Sequence, residues 1–251
     1  MKELLLGVGR EIITPKIGAR LHGYGPDVYS ESVADDLTAT AFYFEQGEER
    51  ALMISTTVCS IRPDLAQMIL QQIEEKYQIP KDRCMLTSIH THSGPGTNGK
   101  GRGWGDVDWE YCNSIYIPRI LSAVEQAMAN PVAVTVGVGI GDSLVGINRR
   151  ELTDNNQTKL GQSKWGCFNP QMTVVSFKNK QGEVVANIVH YGYHGTAAGK
   201  NHEITRDWPG VMIDAVERVS GGITAFFNGA EGDVGPRLSN GKTTGDLSYV
   251  Y

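Results

Sequence analysis

Apolar positions recur along this chain with two different periods. In two early segments, 37–44 and 50–58, β-branched and aromatic residues dominate, which is typical of strands, and the polar turn between them indicates a hairpin. Between Pro63 and Pro80 the apolar residues are spaced three and four apart, as on one face of a helix. Pro63 fits a first helical turn, and Pro80 ends the pattern. These residues therefore predict a hairpin followed by a helix.

Strands and helices continue to alternate downstream. Alternation of this kind, with hairpins among the strands, predicts the α/β class, with a mixed β-sheet covered by helices. Residues 1–251 show no internal repeat and no shift of composition, so we expect a single catalytic-type domain. The predicted strands are 84–89, 132–140, 172–177, 184–191 and 223–227, and the predicted helices are 109–128 and 209–219.

Two long stretches follow neither period. Residues 93–106 are rich in glycine, and residues 148–170 are polar and irregular. Long loops inside compact domains are usually either functional or disordered. Each of these two begins beside residues that have catalytic potential.

Charge and hydropathy exclude some classes of partner. The chain has 23 Lys and Arg against 28 Asp and Glu, a formal charge of -5, so it lacks the basic excess that attracts nucleic acid or anionic lipid. No apolar run approaches the roughly 20 residues needed to cross a bilayer. The amino-terminal run is interrupted by Gly7, Gly9 and Arg10 and fails as a signal peptide. We therefore expect no nucleic-acid partner and no transmembrane segment.

The four cysteines are widely scattered, which is typical of reduced thiols rather than of a disulfide scaffold. This usage and the lack of a leader predict a cytoplasmic location, with secretion as the alternative if a leader has been removed. The sequence does not predict an oligomeric state.

The segment SIHTHSGPG, residues 88–96, places two histidines at the end of a predicted strand. Residues two apart on a strand point to the same side, so His90 and His92 should face one space. The glycines that follow let the backbone turn away, at the edge where α/β sheets tend to carry their sites. This pattern favours metal binding or catalysis, and the alternative is two ordinary polar histidines at the start of a loop.

A second histidine pair follows the predicted strand at 184–191. His190 lies within that strand and fits a core residue with satisfied hydrogen bonds, whereas His194 lies at the transition from strand to loop, as His90 does. The next loop is interpreted either as solvated or as part of the site, and its polar residues are His202, Glu203, Arg206 and Asp207.

Two further groups of residues could take part in catalysis or binding. NGAEGDVGP, residues 228–236, follows an apolar strand and would present Asp233 as a ligand, a base or an orienting group, or would form a simple tight turn. Arg149 and Arg150 are adjacent, so one of them at most should enter a site, where Arg suits a carboxylate, a phosphate or a developing oxyanion. The alternative is a basic pair on the surface.

Several of these motifs together resemble the neutral/alkaline, non-lysosomal ceramidase family, specifically its amino-terminal catalytic domain. The matching stretches are GVGREIITP, HGYG, SIHTHSGPG, the NRR at 148–150, HGT from His194, and FFNGAEGDVGP, which together extend from residue 7 to about 237. The resemblance implies an α/β scaffold that holds one zinc ion and hydrolyses the amide of ceramide. It also implies that His90 and His194 meet as zinc ligands, that His92 is a neighbouring site histidine, and that Arg149 contacts the substrate or an oxyanion.

Two departures from the family pattern change these expectations. Gly235 occupies the position at which the family motif has a serine important for catalysis, so no hydroxyl acts there. The other zinc ligands of the family, a Glu and a Tyr, lie beyond the point where this chain stops, so we expect a domain that is incomplete at its carboxyl end. If the 251 residues are the whole protein, a partner subunit or Asp233, Asp207 or Glu203 would complete the ligation.

The sequence therefore predicts a zinc-dependent hydrolase of an amide bond, with a small-molecule or lipid-like N-acyl substrate and metal-bound water as nucleophile. Arg149 would stabilise negative charge and His92 or Asp233 would handle protons, while Asn228 and Gly235 would join Arg149 in contacting the substrate. One alternative is a zinc-dependent esterase or phosphoesterase for a small polar substrate. Another is an inactive ceramidase-like domain that binds a ligand.

Overall fold

The structure, a computed structural model, describes residues 2–99 and 105–237. Its strands are β1 Leu4–Ile12, β2 Ser32–Val33, β3 Thr38–Gln46, β4 Glu49–Thr56, β5 Cys84–Ser88, β6 Val132–Asp142, β7 Gly146–Asn148, β8 Arg150–Leu152, β9 Thr158–Leu160, β10 Gln171–Lys178, β11 Val184–Tyr191, β12 Glu203–Ile204, β13 Ile223–Asn228 and β14 Val234–Pro236. Its α-helices are α1 Pro63–Tyr77, α2 Trp109–Tyr111, α3 Ile117–Ala129 and α4 Asp207–Ser220, and a single π turn, Cys112–Tyr116, joins α2 to α3.

Eight strands form one mixed sheet in the order β13-β11-β10-β6-β1-β3-β4-β5. The pairs β4–β5 and β11–β13 are parallel, while β3 and β4 form the predicted antiparallel hairpin. The mixed sheet and its helices confirm the predicted α/β class.

The sheet curls until its two ends meet. The rings of Phe42 in β3 and Phe227 in β13 lie 6.2 Å apart, and Ser55 of β4 donates a 2.6 Å hydrogen bond to the carbonyl oxygen of Phe226. As a result, the carboxyl ends of the parallel strands β5, β11 and β13 lie close together. Each of these ends leads into one of the loops that the sequence analysis singled out.

Helix α3 lies directly on β1 because that strand carries two glycines. A Cβ atom at Gly7 would lie 1.8 Å from the carbonyl oxygen of Ala127, and one at Gly9 would lie 2.1 Å from that of Ala123. Only glycine allows a backbone to approach another so closely. The GVG of the opening motif is therefore a packing feature that seats α3 on the sheet.

The structure corrects the predicted elements in four places. The amino-terminal run, considered only as a leader, is strand β1, and the helix predicted at 109–128 contains a π turn. Residues 148–170 are not wholly irregular, because β8 and β9 form a hairpin there. Helix α4 begins at Asp207, two residues before the predicted start. Residues 93–99 and 105–106 are irregular, as predicted, and 100–104 lie outside the described residues.

Strand β6 differs from its neighbours in exposure. Its residues 135–142 pair with β10, while its pairing with β1 is confined to 132–134. Val136, Val138 and Ile140 are 50%, 63% and 64% exposed. Within the described residues, no helix is both long and apolar enough to span a bilayer.

Candidate metal centre

Three histidines from two loops meet at one end of the sheet. His90 and His92 follow β5, and His194 follows β11. Nε2 of His90 lies 3.1 Å from Nε2 of His194 and also 3.1 Å from Nε2 of His92. The ring centroids of the three pairs are separated by 4.4 to 5.3 Å. The predicted meeting of His90 and His194 is therefore confirmed, while their role as ligands stays a prediction.

Backbone carbonyl groups determine which nitrogen carries the proton in two of these rings. Nδ1 of His90 lies 2.7 Å from the carbonyl oxygen of Cys59, and Nδ1 of His194 lies 3.1 Å from that of Glu231. A carbonyl oxygen only accepts, so each Nδ1 donates its N–H and each Nε2 carries a lone pair. Two lone pairs that face each other at 3.1 Å repel unless a proton or a cation lies between them.

This donor set fits a divalent cation that prefers nitrogen ligands. Two imidazole nitrogens at tetrahedral positions, about 2.0–2.1 Å from a zinc ion, would lie about 3.3 Å from each other. The observed separation of 3.1 Å is close to that value. A carbonyl acceptor on the second ring nitrogen is also the usual outer partner of a metal-bound histidine.

His92 differs from the other two rings in its hydrogen bonding. Within residues 2–99 and 105–237, its buried Nδ1 has no hydrogen-bond partner. A proton on Nδ1 would leave a buried donor unsatisfied, so the favoured position is Nε2, 3.1 Å from the Nε2 lone pair of His90. His92 is therefore placed to hold a proton beside the metal position.

The two histidine loops are joined through their backbones. The amide of His92 donates a 3.1 Å hydrogen bond to the carbonyl oxygen of Gly195, and Thr91 forms an isolated parallel bridge with the same glycine. A Cβ at Gly195 would lie 2.7 Å from the carbonyl oxygen of His90. His90 itself has φ 67, a left-handed conformation that costs a non-glycine residue of order 1 kcal/mol. The contacts between the loops hold His90 in this conformation.

The HGYG segment covers one side of His92. Gly23 has φ +122, and a Cβ there would lie 2.4 Å from Cγ of the His92 ring. The ring of Tyr24 meets that of His92 edge-on at 4.9 Å. From the sequence, this motif was known only as part of the family resemblance. In the structure, its glycine lets the backbone lie directly against the imidazole.

Burial keeps the clustered histidines neutral. Desolvation, reinforced by the nearby His90, lowers the pKa of His194 to about 3 and that of His22 to about 4. Desolvation is also the main cause that lowers the pKa of His90 and of His92. Neutral imidazole is the form that binds a metal. These rings are therefore in the binding form near neutral pH.

Glu231 is the site residue that the sequence analysis missed. Its carboxylate oxygens lie 3.5 Å from Nδ1 of His90 and 3.5 Å from Nδ1 of His194, and Asn228 donates a 2.8 Å hydrogen bond to it. Burial raises the pKa of the Glu231 carboxyl to about 7. The carboxylate thus faces the Nδ1 side of both rings, while the facing lone pairs are on Nε2. The signal in the sequence was an acid within a Gly-rich turn, the same signal that Asp233 gave.

The structure does not support the carboxylates that the sequence offered as ligands. The potential ligand atoms of His90, His194 and Glu231 lie within 4.8 Å of one another, and so do those of Cys59, His90 and His92. Among the described residues, neither of these two groups includes Asp233, Asp207 or Glu203. Asp207 accepts three backbone amides, and Glu203 accepts the hydroxyl of Ser32. The loop considered as solvated is instead built around a buried carboxylate, that of Asp207.

Arg149 is partly buried and lies near enough to the histidines for its charge to affect them. Its positive charge is among the causes that lower the pKa of His194, after desolvation and His90. Nε and an Nη atom of Arg149 donate to the carbonyl oxygen of Gly232 at 3.1 and 2.9 Å, and Arg150 donates to the same oxygen. A Cβ at Gly235 would lie 3.3 Å from Cβ of Arg149, so this glycine makes room for the Arg149 side chain.

The remaining predicted site residues make contacts within the protein. Asn228 uses its side-chain amide to join Ile89, Tyr193 and Glu231, which places it between the three loops. Asp233 is exposed, and its carboxylate accepts a 3.2 Å hydrogen bond from Asn148. Their roles in substrate binding and proton transfer stay predictions.

The interpretation of His190 as a core residue is wrong, because its side chain is exposed in β11. The reason is its position next to a turn: Gly229 lies against its imidazole and carries no side chain that would cover it.

Known proteins resemble this chain in sequence along most of its length. A family model described as "Neutral/alkaline non-lysosomal ceramidase, N-terminal" matches residues 4–247. The neutral ceramidase of Pseudomonas aeruginosa is 26% identical over 217 residues, which cover 80% of this chain and 32% of the relative. Neutral ceramidase A of Dictyostelium discoideum is 25% identical, covering 96% of this chain and 37% of the relative. The chain spans about a third of the length of these curated relatives.

Solved structures agree with the sequence comparison. The crystal structure of the P. aeruginosa neutral ceramidase superposes with a TM-score of 0.77 at 23% identity, covering 96% of this chain and 40% of that one. A structure described as a ceramidase complexed with C2 gives a TM-score of 0.79 at 24% identity, covering 95% and 39%. These two structures support the fold, and the family match over 4–247 includes all the residues of the site. The chain belongs to the neutral/alkaline non-lysosomal ceramidase family of hydrolases.

Proposed function

We propose that this protein is a zinc-dependent hydrolase that cleaves the amide bond of an N-acyl substrate. The observation that carries the proposal is the pair of Nε2 lone pairs of His90 and His194, which face each other at 3.1 Å while each Nδ1 donates to a carbonyl group. Such a pair is favourable only with a positive charge between the two nitrogens. A hydrolase family and a buried nitrogen donor set together favour zinc.

The residues around the space between Nε2 of His90 and Nε2 of His194 each have a different role in the proposed amide hydrolysis. Zinc, when bound, supplies a Lewis acid that polarises the substrate carbonyl and activates water. His90 and His194 would hold the ion through their Nε2 atoms. The Arg149 guanidinium, fixed by the carbonyl oxygen of Gly232, brings positive charge to the side where an oxyanion develops. Neutral His92 keeps its proton on Nε2, where it can donate a hydrogen bond to the developing oxyanion or to the leaving nitrogen.

The N-acyl substrate class is inferred from the relatives. The curated relatives are neutral ceramidases, and one structural neighbour is described as complexed with C2. Because this chain covers about a third of those relatives, a lipid-like amide is proposed as the class of substrate rather than ceramide itself. Gly235 supplies no hydroxyl, so no side chain attacks the substrate from that position, and water is proposed as the nucleophile.

A hydrolysis assay tests the proposal. The purified protein, with one equivalent of zinc or with a chelator, is incubated with matched N-acyl amides, carboxylic esters and phosphate esters that release the same chromophore. We expect zinc-dependent release from the amides that is abolished in Arg149→Ala and His92→Ala variants. Release from the ester series alone would replace the amidase with an esterase or phosphoesterase. Binding of substrate without release from any series would indicate a ligand-binding domain.

A further inference from the structure

Asp207 is a buried carboxylate that does not enter the proposed chemistry. It is 1% exposed and has φ 58, in the left-handed region that non-glycine residues seldom adopt. Strained positions of this kind persist only where the surrounding contacts over-determine them. Its contacts therefore indicate what the strained conformation maintains.

The carboxylate of Asp207 holds the loop that contains His194. Its two oxygens accept the backbone amides of Ala197 and Ala198 at 3.0 and 2.8 Å, and the amide of Trp208 at 2.7 Å. Buried backbone amides need acceptors, and a carboxylate accepts more strongly than a neutral group. The loop after His194 therefore depends on Asp207 for the acceptors of two of its amides.

Trp208 continues the same connection to the histidine itself. Its indole Nε1 donates a 3.1 Å hydrogen bond to the carbonyl oxygen of His194. The indole ring is fixed by Tyr193 and Phe226, with centroid separations of 4.4 and 4.9 Å. The backbone of His194 is thus held by a donor whose own position is determined by packing.

Thr205 attaches the segment to the other histidine loop. Its carbonyl oxygen accepts the hydroxyl of Thr91 at 2.8 Å, and its amide donates to the carbonyl oxygen of Ser93 at 3.2 Å. These two contacts lie on either side of His92 in the sequence. Residues 205–208 therefore contact both loops whose histidines meet.

We propose that Asp207 and Trp208 are positioning residues that hold His194 at metal-binding distance from His90. The role rests on the proposed zinc site and extends it to residues that do not touch the ion. Histidine ligands bind a cation tightly only when their backbones are fixed in advance, and loss of such outer support typically costs 10- to 100-fold in metal affinity.

The test compares three variants. Asp207→Asn removes the charge and one acceptor, Trp208→Phe keeps an aromatic ring but removes the donor to His194, and Asp214→Asn is the matched control. Asp214, whose side chain is 49% exposed, accepts two hydrogen bonds from the neighbouring Arg206, at 2.8 and 3.0 Å, so its loss tests for a general effect on the stability of this segment. Each protein is assayed for zinc affinity by chelator competition, for the visible spectrum of its cobalt form, and for unfolding in urea with chelator.

We expect Asp207→Asn to raise the zinc dissociation constant about 10- to 100-fold and to change the cobalt spectrum. Trp208→Phe should raise it about threefold, as expected for one neutral hydrogen bond. Asp214→Asn should lower the urea midpoint and leave zinc affinity unchanged. If Asp207→Asn fails to fold, the Trp208→Phe variant carries the test.

Wild-type zinc affinity in Asp207→Asn and Trp208→Phe would overturn the inference, and so would an equal loss of affinity in Asp214→Asn. Amide hydrogen exchange of residues 194–198 without metal separates this inference from the proposed function. Faster exchange in Asp207→Asn supports the positioning role even if the wild type binds no zinc, and unchanged exchange contradicts it.

Discussion

Around the three histidines glycine lets a backbone lie against a ring or another backbone, whereas along β6 glycine borders open space. A Cβ at Gly23 would overlap the ring of His92, and one at Gly195 would overlap the backbone of His90. At Gly139 and Gly141 an added Cβ would meet no heavy atom within 4 Å. The same residue type therefore indicates close approach in one region and an unfilled sheet face in the other.

The two regions also differ in what surrounds their side chains. The histidine loops bury polar groups and satisfy them with backbone partners, as His194 and Asp207 show. In contrast, β6 exposes Val136, Val138 and Ile140, although strands usually bury such residues. Substitutions should therefore be costly in the histidine region and tolerated in β6.

The largest difference is expected between two Gly→Ala substitutions. Gly23→Ala places a methyl group inside the His92 ring at a φ that alanine disfavours, and we expect it to lower the free energy of unfolding by about 3 kcal/mol. The matched change Gly139→Ala should leave it unchanged or raise it by up to about 1 kcal/mol, because it restricts the unfolded chain. Urea denaturation measures both. Equal effects of the two changes on the free energy of unfolding would show that glycine has the same role in the histidine region and in β6.

Acid should destabilise the metal-free protein through the histidine region. The pKa of His194 is about 3 and that of His22 about 4, both below the 6.5 of an unfolded chain. Between those values the unfolded state binds more protons, so stability decreases as pH falls below 6.5. Glu231 and Asp207, with pKa values of about 7 and 6, act in the opposite direction because the folded state binds their protons.

Four histidines have a lowered pKa and only two carboxyl groups oppose them, so we expect a net loss of stability between pH 7 and pH 5. Urea denaturation with chelator at the two pH values measures the loss. The Glu231→Gln variant, which lacks one opposing group, should show a steeper decline. Stability that rises towards pH 5 would mean that the histidines are not buried as neutral rings.

The smallest effect is expected on β6. Ile140→Thr replaces a side chain that is 64% exposed and keeps the β-branched shape that suits a strand. The free energy of unfolding should change by less than about 0.5 kcal/mol. A loss above about 2 kcal/mol in urea denaturation would show that this face is covered in solution.

The sequence predicted the parts of this molecule that depend on local pattern. The helix after Pro63, the hairpin at 37–58 and the strands that precede His90 and His194 all follow from the spacing of apolar residues and from the Pro, Gly and polar residues that interrupt it. Spacing along the chain placed each of the two histidines just after a strand, and the resemblance to the ceramidase family implied that His90 and His194 meet. The curl of the sheet that brings them together was not predicted.

Features that depend on contacts between distant segments were not predictable in this way. Glu231 and Asp233 both lie in one Gly-rich turn, and only the direction of that turn determines that Glu231 faces the rings. Asp207 looked solvated because nothing local reveals the amides of Ala197 and Ala198 that it accepts. Likewise, the sequence does not show why β1 contains glycines, because the reason is the close packing of α3 against that strand.

Whether His90 and His194 bind one ion between them is measured by the zinc content of the protein after saturation and removal of free metal. We predict one zinc ion per wild-type chain and none in His90→Ala or His194→Ala, both of which should stay folded by circular dichroism. His190→Ala, which changes an exposed histidine, should keep the full zinc content. A folded wild-type protein that retains no zinc, or His90→Ala and His194→Ala variants that retain it fully, would contradict the account.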